Sequence, residues 1–304
     1  ISYYFEQESN CIGFHEGTNL ISFSTLPRYG PSDFPECIGG IIGEGVGAVL
    51  IDGSWIGSLT EFSCEDGYWV INYCEDFEWC YNGAECSEET EYALHLGNNL
   101  ISYTLSDCGS LDEVLPDDVE ECIYGIVGEG FAALNTDIGW IGTLTTFCPN
   151  DGYWFISECD IDFTYNEPTT LSRRQVLNPS IYPYSQSSKQ AFYFIESIEN
   201  IEIGDWILSF NGDEVIGARE WTGSIIDVLA MGDDGSDYTE GYMETGEVPS
   251  FKILRDDELI NLEGDIPAFE NNQLYMVSSL TEAVALPETF SLDRAYPNPF
   301  NPTT

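Results

Sequence analysis

The sequence has 304 residues, with 54 Asp and Glu against 8 Lys and Arg, for a formal charge of −46. Nucleic-acid affinity comes mainly from Lys and Arg neutralising phosphates, and anionic lipid head groups repel an acidic chain, so neither nucleic acid nor a membrane surface is expected as a partner. At 43% hydrophobic and 14% aromatic residues, the chain can bury real cores, and its length suits two or three domains.

The charge is uneven: residues 1 to 172 hold 31 acids and one base, Arg28. Self-repulsion on that scale is relieved by screening, which points to a salty or calcium-containing medium. No apolar run approaches the roughly 20 residues that span a bilayer, since even Ile41 to Ile51 is interrupted by Glu44. The chain opens on Ile1 with no charged-then-apolar segment ahead of it, which reads as a processed or truncated start.

A tandem repeat organises the first half. His15-Glu16-Gly17-Thr18-Asn19-Leu20-Ile21-Ser22 recurs as His95-Leu96-Gly97-Asn98-Asn99-Leu100-Ile101-Ser102, and Ile41-Ile42-Gly43-Glu44-Gly45 as Ile126-Val127-Gly128-Glu129-Gly130. Trp55-Ile56-Gly57-Ser58-Leu59-Thr60 returns as Trp140-Ile141-Gly142-Thr143-Leu144-Thr145, and Asp66-Gly67-Tyr68-Trp69 as Asp151-Gly152-Tyr153-Trp154. One module, residues 1–82, is therefore used again over 83–166. Within each, the Asn-Leu-Ile-Ser run, the Trp-Ile-Gly run and the Tyr-Trp run read as strands, the latter two joined across Asp-Gly. Leu115 to Ile123 reads as a short helix with Pro116 in its first turn and carboxylates at its positive end, while Pro31 and Pro35 make the first copy's version shorter or irregular.

All ten cysteines, Cys11, Cys37, Cys64, Cys74, Cys80, Cys86, Cys108, Cys122, Cys148 and Cys159, lie in these modules. An even number without a Cys-x-x-Cys pair reads as disulfides in an oxidising compartment rather than a zinc site. The repeat favours Cys64 with Cys74 and Cys148 with Cys159; Cys108 with Cys122, Cys80 with Cys86 and Cys11 with Cys37 complete one scheme.

Residues 167–188, rich in Pro, Ser, Asn and Thr and carrying Arg173-Arg174, read as a linker or draped crossover. Over residues 189–282, strand-like runs at Gln190–Ile195, Trp206–Phe210, Glu214–Arg219 and Ser250–Leu254 are separated by Asn-Gly-Asp and Gly-Asp-Asp-Gly turns, the pattern of a β-sandwich. The fold class expected is α+β to mainly β: two small disulfide-bonded β-rich modules followed by a sandwich-like domain.

Candidate chemistry is sparse. Gly128-Glu129-Gly130-Phe131-Ala132-Ala133 formally fits a dinucleotide fingerprint, but Glu129 would repel a pyrophosphate and no helix follows, so a turn demanding glycine is preferred. His15 and His95, the only histidines, repeat one strand position, which favours a packing role over catalysis. No His-Glu-x-x-His, Gly-x-Ser-x-Gly or phosphate loop occurs, and small units rarely form the cleft that paired glycosidic carboxylates need. No catalytic, cofactor-binding or metal-binding residue is assigned. Asp233-Asp234-Gly235-Ser236-Asp237, Asp160 and Asp162 could offer oxygens to calcium, though a turn is preferred. Trp55, Trp69, Trp140 and Trp154 are the candidate contact aromatics, for a glycan or a protein, because alternation puts Tyr and Trp on opposite faces.

The last stretch, with Tyr296-Pro297-Asn298-Pro299-Phe300-Asn301-Pro302 at its heart, resembles the opening of the C-terminal sorting domain of type IX secretion cargo, and residues 283–304 are read as its start. The modules and the Phe210-Asn211-Gly212-Asp213-Glu214-Val215-Ile216-Gly217-Ala218-Arg219-Glu220-Trp221 segment resemble units that precede this domain in large secreted bacterial proteins. The resemblance implies export across a Gram-negative outer membrane to the cell surface or medium. The expectation is a non-catalytic extracellular structural, adhesive or filament-forming protein that associates with itself or other surface components. The alternative is a carbohydrate-binding or spacer region of a secreted hydrolase.

Overall fold

Alternation of apolar side chains and a glycine-rich hairpin give each module the same five-stranded antiparallel sheet. In the computed structural model the described residues are 10–175 and 182–283, so the sorting-domain motif, residues 1–9 and part of the 167–188 segment lie outside them. In module 1 the strand order is Gly17–Ser22, Gly67–Asn72, Ile38–Gly43, Val46–Ile51 and Ser54–Gly57. Module 2 repeats that order with Gly97–Ile101, Tyr153–Ser157, Ile123–Val127, Ala132–Thr136 and Gly139–Gly142. Both carry a register shift at the same place, between Ile38 and Gly40 and between Ile123 and Gly125. The Ile-Ile-Gly-Glu-Gly runs are thus the first strand and turn of a hairpin that the sequence reading missed.

The expected helix over Leu115 to Ile123 is shorter. Two single turns, Leu111–Val114 and Asp117–Glu120, flank Pro116, and the chain is extended again by Ile123. Pro116 has no N–H and biases the residue before it away from helix, so the two turns cannot merge. In module 1 the corresponding segment is a 3-10 turn, Gly30–Asp33.

One face of each sheet closes over an aromatic core. In module 1 Phe23, Phe34, Phe62 and Tyr68 pack ring against ring, with Ile38, Ile41 and Val70 beneath them. Tyr103, Phe147, Tyr153, Phe155 and Tyr165 do the same in module 2. Full burial of one such ring removes enough apolar surface to contribute about 2–3 kcal/mol.

All ten cysteines are bridged, in a pairing different from the expected scheme. The bonds are Cys11–Cys80, Cys37–Cys74, Cys64–Cys86, Cys108–Cys148 and Cys122–Cys159. Cys37 and Cys122, like Cys74 and Cys159, stand 85 residues apart, in step with the tryptophans, and they form the equivalent bridge in each copy. Cys64 and Cys148 are one residue out of that step. The residue equivalent to Cys148 is Ser63, whose N–H donates to Tyr68 Oη as that of Cys148 donates to Tyr153 Oη. Cys64 and Cys148 are therefore not counterparts, and each takes a partner with no equivalent in the other copy. Cys11 and Cys80 face each other directly across paired strands, Asn10–Phe14 and Phe77–Tyr81.

The third unit has two sheets, sandwich-like as expected. Ile226–Met231, Gln190–Ile195 and Leu274–Val277 form one; Glu214–Glu220, Trp206–Asn211, Ser250–Arg255, Glu258–Glu263 and Thr281–Glu282 form the other. Its core runs without a break into module 2 through Val127, Ala132 and Leu134, with Ile141, Trp154 and Ile156 against them. At that join the Arg219 guanidinium, buried with Asp227 at 3.2 Å, also donates to Gly130 O at 2.9 Å. Gln190 reaches Gly128 O, and Thr143 Oγ1 donates to Asp227.

Peptide mapping without reduction is expected to recover these five cystines and none of the neighbouring-cysteine pairs. Replacing Cys122 and Cys159 together by Ser is expected to lower unfolding stability by about 2–4 kcal/mol in chemical denaturation.

Candidate functional site

The repeated His and Glu meet across the junction of the modules. At each Gly-Glu-Gly turn the second glycine has a left-handed backbone, φ +69° at Gly45 and +70° at Gly130, where a side chain is strained. The glutamate before it is thereby carried off the end of its hairpin and into the other module. Glu129 of module 2 holds His15 of module 1, Oε1 to Nε2 at 2.7 Å, and accepts the Leu20 N–H on Oε2 at 2.5 Å. Glu44 of module 1 does the same to module 2, with His95 Nε2 at 2.7 Å and Leu100 N–H at 2.9 Å. The contacts are reciprocal, as in a two-fold dimer made within one chain.

Each histidine is set by its own loop. The Asn19 Oδ1 accepts the His15 N–H at 2.9 Å and the Asn99 Oδ1 accepts that of His95 at 2.8 Å. The rings' other nitrogens face backbone carbonyls, His15 Nδ1 on Glu16 O and His95 Nδ1 on Leu96 O. Both nitrogens of both rings therefore face acceptors, and only the doubly protonated imidazolium satisfies them. Burial works against a charged ring at His15, but Glu129 outweighs it and lifts the pKa to about 9. At His95 the Leu96 carbonyl and Glu44 raise it as well. The His15 ring is therefore charged at neutral pH and not free to act as a general base.

Beneath the carboxylates, Leu20, Trp69, Leu100 and Trp154 pack as one cluster. Tyr68 and Tyr153 point inward on the opposite face, as alternation requires. Trp69 and Trp154 meet the neighbouring module, and Trp154 the third unit as well, so their rings form no platform open to solvent. Trp55 packs partly buried on the module 1 core, and Trp140 donates its indole N–H to Glu120. Backbones also touch: Ser22 N–H donates to Asn150 O at 2.9 Å, and Ser102 N–H to Glu65 O at 3.0 Å. Glycine is required there, since a Cβ on Gly152 would sit 2.7 Å from Ile21 O and one on Gly67 2.9 Å from Ile101 O.

A cleft of about 600 Å³ opens beside the His15–Glu129 pair, lined by Phe131, Leu144, Asp151 and Arg174. Arg174 arrives on the segment that drapes over module 2, where Gln175 accepts the Thr145 N–H and Glu113 holds Thr169 and Thr170. Its guanidinium pairs with Asp151 and donates to Pro149 O. Burial pushes the Asp151 carboxyl up to about 6, against the pull of Arg174. All four charged groups lining the cleft are thus already paired. Cys11 and Cys148, which also line it, are in disulfides.

Two of the calcium candidates, Asp234 and Asp160, are engaged elsewhere. Asp234 Oδ2 accepts from Ser188 N–H and Oγ, and Oδ1 from Ser236 N–H and Thr239 Oγ1. Burial raises its pKa, but these donors outweigh it and hold the carboxyl below its ordinary value. Asp160 Oδ1 accepts the Leu96 N–H. Among the described residues one group of potential ligands clusters, Cys11, Glu78 and Cys80, and its two sulfurs are consumed by their shared bond. Compared with known families, curated proteins and solved structures, the chain matches none.

Sequence reasoning placed the two histidines in a packing role and Glu44 and Glu129 in a turn, without seeing that they are partners. The signal was present in the persistence of both residue types in both copies while Glu16 became Leu96 and Thr18 became Asn98. It did not single out Gln190, Arg219 or Tyr238; the Tyr238 hydroxyl meets Thr18 Oγ1 at 2.8 Å and ties the third unit to module 1.

The His15 pKa lies above that of an unfolded histidine, about 6.5, so the clasp's contribution is complete below that pH and is lost as pH rises through about 9. Thermal unfolding is expected to show this loss, amounting to about 1 kcal/mol after solvent screening of a half-exposed pair. In Glu129→Gln, an NMR titration is expected to return His15 toward the ordinary range while leaving His95 unmoved.

Proposed function

We propose that this chain is a non-catalytic extracellular assembly protein, exported by type IX secretion and acting at or beyond the bacterial surface. The observation that carries the reading is the reciprocal clasp. The histidines and the hairpin glutamates, which in an enzyme would be the candidates for acid and base, are spent on holding two modules together. With both ring nitrogens of each histidine engaged and every charged group in the cleft paired, the arrangement has the character of a scaffold.

Five disulfides and no free cysteine among the described residues fit an oxidising environment. No helix among the described residues is long and apolar enough to cross a membrane. Export by type IX secretion rests on the Tyr296 to Pro302 motif. The alternative, a sugar-stacking platform, is weakened by the closure of Trp69 and Trp154 inside the module junction.

Native material from the producing cells, viewed by negative-stain electron microscopy and sized by light scattering, is expected to contain this chain in particles much larger than one copy. A strict monomer in native material would overturn the reading, as would turnover of any substrate by the isolated chain.

A further inference from the structure

The two modules differ most on the sheet face that points away from their own aromatic cores. In module 2 that face consists of Val127, Ala132, Leu134, Ile141, Trp154 and Ile156, and the third unit covers it. The residues 85 positions earlier are Ile42, Gly47, Val49, Ile56, Trp69 and Ile71, and strand pairing places them on the same side: Ile42 lies opposite Trp69, and Val49 opposite Ile56. Trp69 is buried in the module junction, but away from it the burial is reversed. Val127 and Leu134 are 0% and 2% exposed, whereas Ile42 and Val49 are 43% and 45% exposed. Ile51 and Ile56 extend the patch at 47% and 55%. Scattered exposed aliphatic residues need no explanation, but a contiguous set on one flat sheet, without a charged side chain among them, marks a contact surface.

An aromatic stands at the rim of both faces although it comes from different places in the chain, a strand in module 2 and the residue just past the Gly67–Asn72 strand in module 1. In module 2 it is Tyr124, whose hydroxyl donates to Leu274 O of the third unit. The module 1 equivalent is Gly39, and a side chain there would run into the Tyr73 ring, 2.0 Å from its Cε2. Tyr73 therefore fills the space that Tyr124 fills in the other copy, and it is 65% exposed. Tyrosine on an apolar patch is a preferred anchor at protein interfaces.

We infer that the exposed face of module 1, centred on Ile42, Val49, Ile51 and Ile56 with Tyr73 at its rim, is a docking surface for the same face of a second copy of this chain. The inference rests on the assembly reading above and deepens it by naming one contact. Two features select a second copy over a partner resembling the third unit. The contact on module 2 is anchored by polar groups, with Thr143 donating to Asp227, and the module 1 equivalent of Thr143, Ser58, instead accepts its own sheet's Gly47 N–H. The module 1 face thus presents aliphatic surface without that anchor. In each copy the third unit's sheet is already committed to module 2, so the broad aliphatic sheet face left for a second copy, among the described residues, is this same one. A face that meets itself across a two-fold axis makes a closed contact, and two sheets packed face to face are an ordinary β arrangement.

The net charge of −46 gives the contact a signature. Two such chains repel at low salt, so the dimer is expected to strengthen as salt is added, opposite to an interface built on ion pairs. Sedimentation equilibrium of the full chain at about 0.05 M and about 0.5 M NaCl, where the screening length falls from roughly 14 Å to roughly 4 Å, is expected to show a dimer whose association constant rises at least tenfold. The double variant Val49→Glu/Ile56→Glu sets carboxylates against each other across the axis and is expected to weaken the dimer at least tenfold, with circular dichroism and melting temperature unchanged. In the unmodified protein, amide exchange over Val46–Ile51 and Ser54–Gly57 is expected to slow with rising concentration. A chain that stays monomeric at every salt and concentration overturns the inference, as does a dimer indifferent to the double variant, or a different protein found seated on this face. Native particles that persist when the variant replaces the natural chain would overturn this contact while leaving the assembly reading intact, whereas native material without particles would overturn that reading itself.

Discussion

Two carboxylates exchanged between tandem modules set the geometry on which the rest depends. Glu44 and Glu129 each leave their own hairpin and close on a histidine and a backbone N–H of the other module. An exposed ion pair alone contributes little. Here the pair shields a buried cluster of two leucines and two tryptophans and sits beside direct backbone contacts. The small polar term fixes the register and the apolar term supplies the stability. A single register follows, because Gly67 and Gly152 leave room for only one close approach on each side.

Symmetry inside the chain is then broken by what covers each module. Module 2 carries the draped segment with Arg174 and the whole of the third unit, so its outer face becomes core. Module 1 lacks the draped segment and meets the third unit only near Thr18, so most of its outer face remains aliphatic and open. The third unit touches module 1 lightly, through Tyr238 on Thr18, and module 2 extensively, through the buried Arg219–Asp227 pair and Gln190. Duplication supplied two equivalent surfaces and only one of them found a partner within the chain.

Much of this architecture was readable from residue order because the repeat, the turn glycines and the alternation of Tyr68 with Trp69 act locally. The β-rich class and the full bridging of the cysteines followed from such local cues. The pairing did not, although the numbering held the clue: Cys37 and Cys122 keep the 85-residue step, Cys64 and Cys148 do not. The hairpins at Ile41 and Ile126 were hidden by their glycines, which lower strand propensity while allowing close packing. The His–Glu clasp spans 114 residues in one direction and 51 in the other, and no local pattern reports a contact of that range. Its members looked like separate minor features until the modules were placed side by side.

The bridge between Cys11 and Cys80 closes a loop with a sequence separation of 69. For a chain pulled from its ends, that loop lies outside the line of tension. Even with module 1 torn open, roughly 240 Å of contour stays locked behind the sulfur bond. The covalent network therefore limits how far the molecule can be drawn out, and it keeps the unravelled strands near the place where they must refold.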